Sequence, residues 1–405
     1  MIKRIEYLQK IRPFYGVKLV KILTGVRRSG KSVILKQIQE ELLAKGVKQS
    51  NILYYNFEDL RNYSLRQAVS LHEKILKQAE SLTGKVYIFI DEIQMVEKWE
   101  ECVNSLRVVL DSDIYITGSN ANLLSDEFAT LLSGRYIRFT IYPFSFKEFV
   151  QAYKLVTDET DERKCFYKYL LFGGMPELFD INYEEEVATK YLQELFSAIE
   201  LKDIVLRYQI RDVSYLERLL LYITATPGQP FSALSISKYL KNEGFKITSP
   251  TVMNYIYYAV NAYLLYSVQK EDIKGKQLLA TQEKYYIFDH GMREAVIGSN
   301  IKDINVVLEN IVLLELLRRD YKVTVGNNGN KEIDFIARKK DKATLYIQVT
   351  YKMEGEKTID REFGAFEGLR VPNSTFLVLS LDDFNLTQAN VKHINLIEFL
   401  LSSSW

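Results

Sequence analysis

The chain is poor in the residues that build covalently or metal-stapled scaffolds: its 405 residues include two cysteines, three histidines and seven prolines. Cys102 and Cys165 lie in segments with helical patterns, which argues against a disulfide framework and for buried thiols in a reducing compartment. His72, His290 and His393 are scattered without ligand spacing, so no structural zinc site is expected. The longer apolar runs, at residues 86–90 and 311–317, fall far short of the ~20 residues of a membrane helix. The opening MIKRIEYLQK has basic residues with no apolar stretch behind them, unlike a secretory signal. A cytoplasmic protein without a membrane partner is the expectation. A net charge of +1 gives no global attraction to nucleic acid, so any such contact rests on a local patch.

What is present is a globular composition, 47% hydrophobic and 26% charged, at a length that suggests two to four domains. The first block alternates β-rich runs (LVKIL, NILYYNF, VYIFI, IYIT) with helical patterns, which implies a mainly parallel sheet with helices on both faces. Such sheets bind ligands at the carboxyl ends of their strands. From residue 143 to about residue 212 the pattern turns helical and reads as a lid. The breaker TPGQP at residues 226–230 lies at a further change of pattern. A helix, a turn, a helix over residues 251–266 and two short strands follow, the order of a winged helix-turn-helix. The last hundred or so residues open on a helix and continue through several strands, a third α/β unit. The expected divisions are 1–142 for the core, 143–213 for the lid, 214–296 for the winged helix and 297–405 for the terminal domain.

Residues 25–32 read GVRRSGKS and match the pattern G-x-x-x-x-G-K-[ST] between a strand and a helix, the context it requires. Glycines let the backbone N–H groups and the helix N-terminus face phosphate oxygens. The expected nucleotide-binding set is Gly25, Val26, Arg27, Arg28, Ser29, Gly30, Lys31 and Ser32, with Lys31 on the β and γ phosphates and Ser32 on Mg²⁺. Arg27 and Arg28 are read equally well as solvated loop charges. The run VYIFIDE supplies an acidic strand end, with Asp91 for the Mg²⁺ shell and Glu92 to polarise an attacking water. In IYITGSN, Asn120 is the favoured γ-phosphate sensor, with Ser119 close behind and helix capping as the other reading. Arg135 is a candidate transition-state guanidinium supplied across a subunit interface, which implies a homo-oligomer; a plain surface arginine is the alternative. The absence of an N-K-x-D phrase disfavours GTP, so ATP with Mg²⁺ is the expected ligand pair.

Taken in order, GVRRSGKS, FIDEIQ, ITGSN, LLSGRY, YPFSFKEF, FGGMPE, KDI, LEN and EIDFI resemble the prokaryotic AAA-type ATPases that carry a C-terminal DUF4143-type region. The resemblance spans nearly the whole chain. It implies an α/β multi-domain protein: a parallel P-loop AAA+ sheet with helical lid, a winged helix and a PD-(D/E)xK-like terminal α/β domain.

In a winged helix the second helix enters the major groove. Here it would expose Thr251, Asn254, Tyr255 and Tyr258, with basic residues around it at Lys238, Lys241, Lys246, Lys270, Lys274 and Lys276. Thr251, Asn254, Lys246, Lys274 and Lys276 are the candidate DNA contacts; docking of a protein is the competing role for this surface. The nuclease resemblance rests on Glu309, Asp334 and Gln348, a candidate vestigial site. A working centre needs a lysine two residues beyond the strand ligand, and this chain has Thr350 there. Lys352 shares the strand face and is the candidate substitute, but a centre that does not cut DNA is the expectation. The reading is an ATPase that drives a DNA-binding half, with a nucleotide-gated interaction switch and an ATP-regulated nuclease as alternatives.

Overall fold

A computed structural model describes residues 2–120, 132, 134–242, 244–245, 247–273, 275 and 277–403. They divide into two compact units, Met1–Ile141 with Asn261–Tyr263, and Tyr142–Val260 with Leu264–Trp405.

Among the described residues, the first unit holds a parallel sheet of five strands, β1 (Val20–Thr24), β2 (Ile52–Asn56), β3 (Val86–Asp91), β4 (Ser112–Gly118) and β5 (Tyr136–Thr140). Their spatial order is β2-β3-β4-β1-β5. Every residue of β1 and β4 is buried, the signature of a sheet covered on both faces. One face, with Val20, Ile22, Ile88 and Ile116, joins a core with Leu71 and Ile75 of α3 (Ala68–Ala79) and Val103 and Leu106 of α4 (Trp99–Val109). Helix α1 (Ile5–Ile11) packs against α2 (Lys31–Ala44), which follows the loop after β1 and buries Ile34, Leu35, Ile38 and Leu42. The pattern reading gave four strands and not β5, which is only half-buried and carries Arg138 in its middle. Its identity as a strand comes from pairing with β1, Val20 opposite Tyr136 through Thr24 opposite Thr140.

The second unit opens with the helices α5 (Phe146–Thr157), α6 (Glu162–Phe172) and α7 (Glu185–Ala198), continued by a π-helix at Ile199–Val205. Ser145 starts α5 with a capping box, its hydroxyl accepting from Glu148 N–H while the Glu148 carboxylate accepts from Ser145 N–H. The FGGMPE phrase has a packing reason. A β-carbon on Gly173 would stand 2.1 Å from the Asp289 carboxylate, and one on Gly174 would stand 2.3 Å from the Phe144 carbonyl oxygen. Gly291 has the same constraint against Phe172 O, at 2.1 Å. Backbones meet here, and Asp289 accepts hydrogen bonds from Gly174 N–H and Met292 N–H, capping α11 (His290–Ile297).

Helices α8 (Val213–Ala225), α9 (Ala233–Asn242) and α10 (Ser249–Asn261) precede the antiparallel hairpin β6 (Leu265–Asp272) and β7 (Gln277–Ile287). Helix α10 stops five residues before the expected end at 266, because Leu265 and Tyr266 already pair with β7. The hairpin expected as a free-standing wing is part of a larger mixed sheet. That sheet continues through β8 (Lys322–Asn328), β9 (Lys331–Arg338), β10 (Thr344–Val349), β11 (Ser374–Ser380) and β12 (Val391–Asn395), in the order β12-β11-β10-β9-β8-β6-β7. Strand β6 pairs in parallel with β8, Lys270 opposite Val325, so the sheet runs across the division expected at 296 and 297. Helix α12 (Ile304–Arg318) is buried on all sides, as an all-round apolar helix must be. Its Asn310 side chain donates to Ile287 O and accepts from Ile287 N–H, extending β7 by a side chain in place of a strand. Helices α13 (Glu356–Gly364) and α14 (Leu396–Leu401) complete the unit. Among the described residues no helix is long and apolar enough to cross a membrane.

His290 is buried, with Nε2 donating to Tyr169 O, and burial lowers its pKa to about 4. Burial raises the pKa of its neighbour Asp289 to about 7, against the opposing backbone bonds. Between pH 4 and 6.5 the unfolded histidine holds a proton that the folded one does not, so its contribution to stability is lost as pH falls. The folded Asp289 holds a proton that the unfolded one lacks between its ordinary range and about 7, so its slope has the opposite sign. His290→Gln should remove the first slope only. The melting temperature of the variant, measured relative to wild type, is expected to climb as pH drops from 6.5 to 4; a difference that does not change with pH would contradict this account.

Candidate functional site

The loop between β1 and α2 is shaped by its first glycine. Gly25 adopts φ +141°, and a β-carbon there would stand 2.2 Å from Ile141 O. Gly30 at φ +94° then starts α2 in a left-handed conformation, which glycine adopts without steric cost. Lys31, the first residue of α2, is buried and donates to Gly25 O at 3.0 Å and Val26 O at 2.9 Å. The Ser29 hydroxyl is buried within the loop and has no hydrogen-bond partner among the described residues. Arg28 is exposed at φ +67°, and Arg27 lies 3.4 Å from Glu58, a solvent-facing pair of little energetic weight.

Strand order places β4 between β1 and β3, and Thr117 on β4 is the hinge of the acidic strand end. Its hydroxyl donates to Asp91 Oδ1 and accepts from Glu92 N–H at 2.9 Å. Tyr54 on β2 donates to the other Asp91 oxygen at 3.0 Å. Burial and the Asp91 charge hold the Tyr54 phenol above its ordinary pKa, so it stays a donor. Glu92 sits in the left-handed region at φ 56°, ψ 51°, an uncommon conformation for a residue with a β-carbon. Its carboxylate accepts from the Gln94 amide, whose nitrogen is also 3.5 Å from the Ser119 hydroxyl. Asn120 is buried just beyond β4. The sequence reading named Thr117 only as one of three polar strand-end residues; its bridging role follows from register.

The structure brings together residues 25–32, Asp91, Glu92 and Asn120 at the carboxyl ends of β1, β3 and β4. Arg135 lies elsewhere. It is exposed, its carbonyl accepts from Val20 N–H, and its Nη1 is 3.5 Å from Asn104. That is the amino end of β1, roughly 15 Å from the loop for five residues of strand, so Arg135 does not serve the phosphate loop of its own chain. Two supports escaped the sequence reading. Arg4, buried, donates to Ser29 O at 3.1 Å, and Gln37 on α2 accepts from Arg4 N–H at 3.0 Å. Neither carries a motif; both are found by proximity.

Fit to a nucleotide is tested on the donor set. The unpartnered Ser29 hydroxyl, the Lys31 ammonium and the first-turn N–H groups of the 14-residue α2 suit a polyphosphate. The Ser32 hydroxyl and the Asp91 carboxylate are the hard oxygen donors that Mg²⁺ prefers.

In the second unit, α10 buries Val252, Tyr255, Ile256 and Ala259 and exposes Met253, Asn254 and Tyr257. Tyr255 is therefore a core residue and not on the outer face, because it shares the inward stripe with residues 252, 256 and 259. Thr251 is half-buried, and its hydroxyl shares a hydrogen bond with Thr248. Lys270, read as a phosphate contact, is paired with Glu332 at 2.8 Å. Lys246, Lys274 and Lys276 lie outside the described residues. Glu309 on α12, Asp334 on β9 and Gln348 on β10 line one cavity of about 440 Å³. Lys352 does not join them. It is half-exposed beside Glu354, because the chain leaves β10 at Val349. Lys284 on β7, which follows Thr281, Gln282 and Glu283 and precedes an apolar run, is buried near that region.

The parallel order, phosphate loop and acidic strand end define a P-loop core of the AAA type, joined to a unit with a mixed sheet. A family model described as AAA domain matches residues 17–150, and one described as Domain of unknown function (DUF8612) matches residues 163–303. The chain belongs to one family with an uncharacterised protein of Haemophilus influenzae, to which it is 41% identical over 353 residues, 87% of this chain and 88% of that protein. The uncharacterised protein MJ1544 of Methanocaldococcus jannaschii is 31% identical, over 90% of this chain and 82% of its own length. Among solved structures, the Aeropyrum pernix ORC1 protein in complex with DNA aligns at a TM-score of 0.31 and 12% identity, covering 73% of this chain and 92% of that one. The replication initiator DnaA bound to AMPPCP and single-stranded DNA aligns at 0.33 and 14%, covering 63% and 87%. Likenesses of that size do not bear on function.

Thr117→Val should strand a buried Asp91 oxygen and the Glu92 N–H together, at a cost of about 1–3 kcal/mol. Thr117→Ser should keep both bonds. Thermal unfolding of the two variants checks this, and equal stability would remove Thr117 from its bridging role.

Proposed function

We propose that the protein binds ATP with Mg²⁺ and hydrolyses it, and that the second unit puts this turnover to use on DNA. The observation that carries the reading is the convergence of Lys31, Asp91 and Glu92 at the carboxyl ends of β1 and β3, with Thr117 on the intervening β4 tying the two acids together. Lys31 would hold the β and γ phosphates after leaving the Gly25 and Val26 carbonyls. Ser32 and Asp91 would hold Mg²⁺, which when bound neutralises phosphate charge. Glu92 would take a proton from the attacking water, and Asn120 would sense the γ-phosphate. Arg135, remote from its own loop, suits a role toward a neighbouring copy.

The DNA role is supported by the helix pair α9 and α10, with exposed Lys238, Lys241 and Asn254. A second reading has its own observation. Leu234, Tyr239, Met253 and Tyr257 on the same pair are about half exposed, at 57%, 57%, 46% and 56%, a face that suits docking of a protein. The Gln94 hold on Glu92 fits slow turnover, as a nucleotide-gated switch requires.

The deciding measurement is steady-state ATP hydrolysis by wild type and Glu92→Gln, with and without duplex and single-stranded DNA. Glu92→Gln is expected to bind ATP and to lose at least about a hundredfold in kcat, with DNA stimulating only the wild type. ATP bound by both and turned over by neither would move the switch reading to first place. Arg135→Ala is expected to lose turnover and its rise with protein concentration while keeping ATP affinity; unchanged turnover would refute its action between copies.

A further inference from the structure

The carboxylates of the terminal cavity share their wall with two exposed cations, Arg361 paired with Glu362 and Lys331 paired with Glu367, and one of these carboxylates is also held from behind by a buried ammonium group of the hairpin. Glu309 on α12, Glu332 and Asp334 on β9 and Glu362 on α13 line the cavity. Glu332 also lines an adjoining cavity of about 690 Å³, whose wall includes Lys270 and Lys284. Lys284 is 6% exposed, and its ammonium donates to Glu332 Oε1 at 2.6 Å while Lys270 holds the other oxygen. Burial alone would lower the Lys284 pKa. Glu309, Glu332 and Asp334 outweigh it and hold the lysine above its ordinary value, so the ammonium is charged. Burial raises Glu309 and Asp334 instead, with added repulsion from Asp334 at Glu309 and from Glu362 and Glu332 at Asp334.

Part of the oxygen set is already committed to hydrogen bonds. Asp334 Oδ2 accepts from Val349 N–H at 2.8 Å, and Gln348 Oε1 accepts from Asp334 N–H at 2.8 Å. The Gln348 amide donates to Glu362 Oε2 at 3.0 Å. One buried oxygen stands apart from this network. Tyr286 is fully buried and its hydroxyl has no hydrogen-bond partner among the described residues. A β-carbon on Gly228 would lie 3.1 Å from both the hydroxyl-bearing carbon of Tyr286 and Glu309 Oε2, so the tyrosine and the glutamate meet beneath the TPGQP loop.

We propose that Lys284, reaching the shared Glu332 from the adjoining cavity, is the buried counter-ion of this carboxylate cluster, taking the place of a divalent metal, and that removing its ammonium opens a divalent-cation site at Glu309 and Asp334. A metal ion approaching these carboxylates meets a like charge in a poorly solvated pocket, where repulsion is weakly screened. The donor set and the Lys284 charge therefore do not fit a metal together. Without the lysine, Glu309 and Asp334 are left as hard oxygen donors of the kind Mn²⁺ and Mg²⁺ select. The hairpin thus carries a charge on which the terminal sheet depends, in the manner of a counter-ion built into the fold.

The test is titration of Mn²⁺ into the nucleotide-free full chain, by calorimetry and by melting temperature, in an Asp91→Asn background that removes a candidate ligand in the first unit. The background protein is expected to take no Mn²⁺ that Asp334→Asn abolishes. Adding Lys284→Met should lower the melting temperature and give at least about a tenfold gain in Mn²⁺ affinity, at a site lost again with Asp334→Asn. Lys284→Gln, which keeps a donor toward Glu332, should show the same gain if the methionine variant does not fold, and Lys284→Arg should show none. An Asp334-dependent Mn²⁺ site in the background protein overturns the proposal, as does a folded Lys284→Gln chain with unchanged Mn²⁺ affinity.

Discussion

The carbonyl oxygen of Ile141 stands 2.2 Å from where a β-carbon on residue 25 would sit, and the first unit is arranged around that contact. Ile141 N–H donates to Thr24 O, so β5 and β1 are closed together at the point where the phosphate loop begins. Only a glycine lets the chain leave β1 there. The loop that follows turns its carbonyls toward Lys31 and leaves the Ser29 hydroxyl buried without a partner. Strand order then puts Thr117 between this loop and Asp91, and a single hydroxyl links the two acidic residues. The site is a consequence of parallel register, since the loop at residues 25–32, the acidic pair 91 and 92, and Thr117 are far apart in sequence.

The second unit uses the same device for a different end. Gly173, Gly174 and Gly291 leave room for the Asp289 carboxylate and the backbones of residues 144 and 172 where β-carbons would otherwise stand. The cost of this density is a buried carboxyl and a buried imidazole side by side, with pKa values displaced in opposite directions. Asp289 is kept in place because Gly174 N–H and Met292 N–H both need an acceptor in a region closed to water. FGGMPE, one of the phrases that carry the family resemblance, is therefore explained by packing.

Legibility differed from residue to residue for identifiable reasons. The loop at residues 25–32 was readable because its chemistry needs fixed types at fixed spacing between a strand and a helix. Asp91 and Glu92 were readable because two acids end an apolar run. β5 was missed because YIRFT shows neither the strict alternation of a half-buried strand nor the unbroken apolar run of a fully buried one. Tyr255 was misassigned because Tyr tolerates either face of a helix, and only the packing of residues 252, 256 and 259 chooses. Lys352 was named and Lys284 was not because strand alternation sees one strand at a time, whereas the cavity is assembled from β9, β10, α12 and α13 and Lys284 reaches its Glu332 from β7.

By itself the sequence determined the phosphate loop, the acidic strand end, the alternation that makes a parallel sheet and the absence of an apolar run long enough to span a membrane. These are local properties, set by the conformational freedom of glycine, the period of side chains along a strand and the length of apolar runs. The tertiary structure alone decided that Thr117 bridges the acids, that Arg135 stands at the far end of β1, that the hairpin belongs to the terminal sheet and that Lys284 meets Glu332. Each of these joins residues that are far apart along the chain, and such contacts are selected by register and burial, which no single segment encodes.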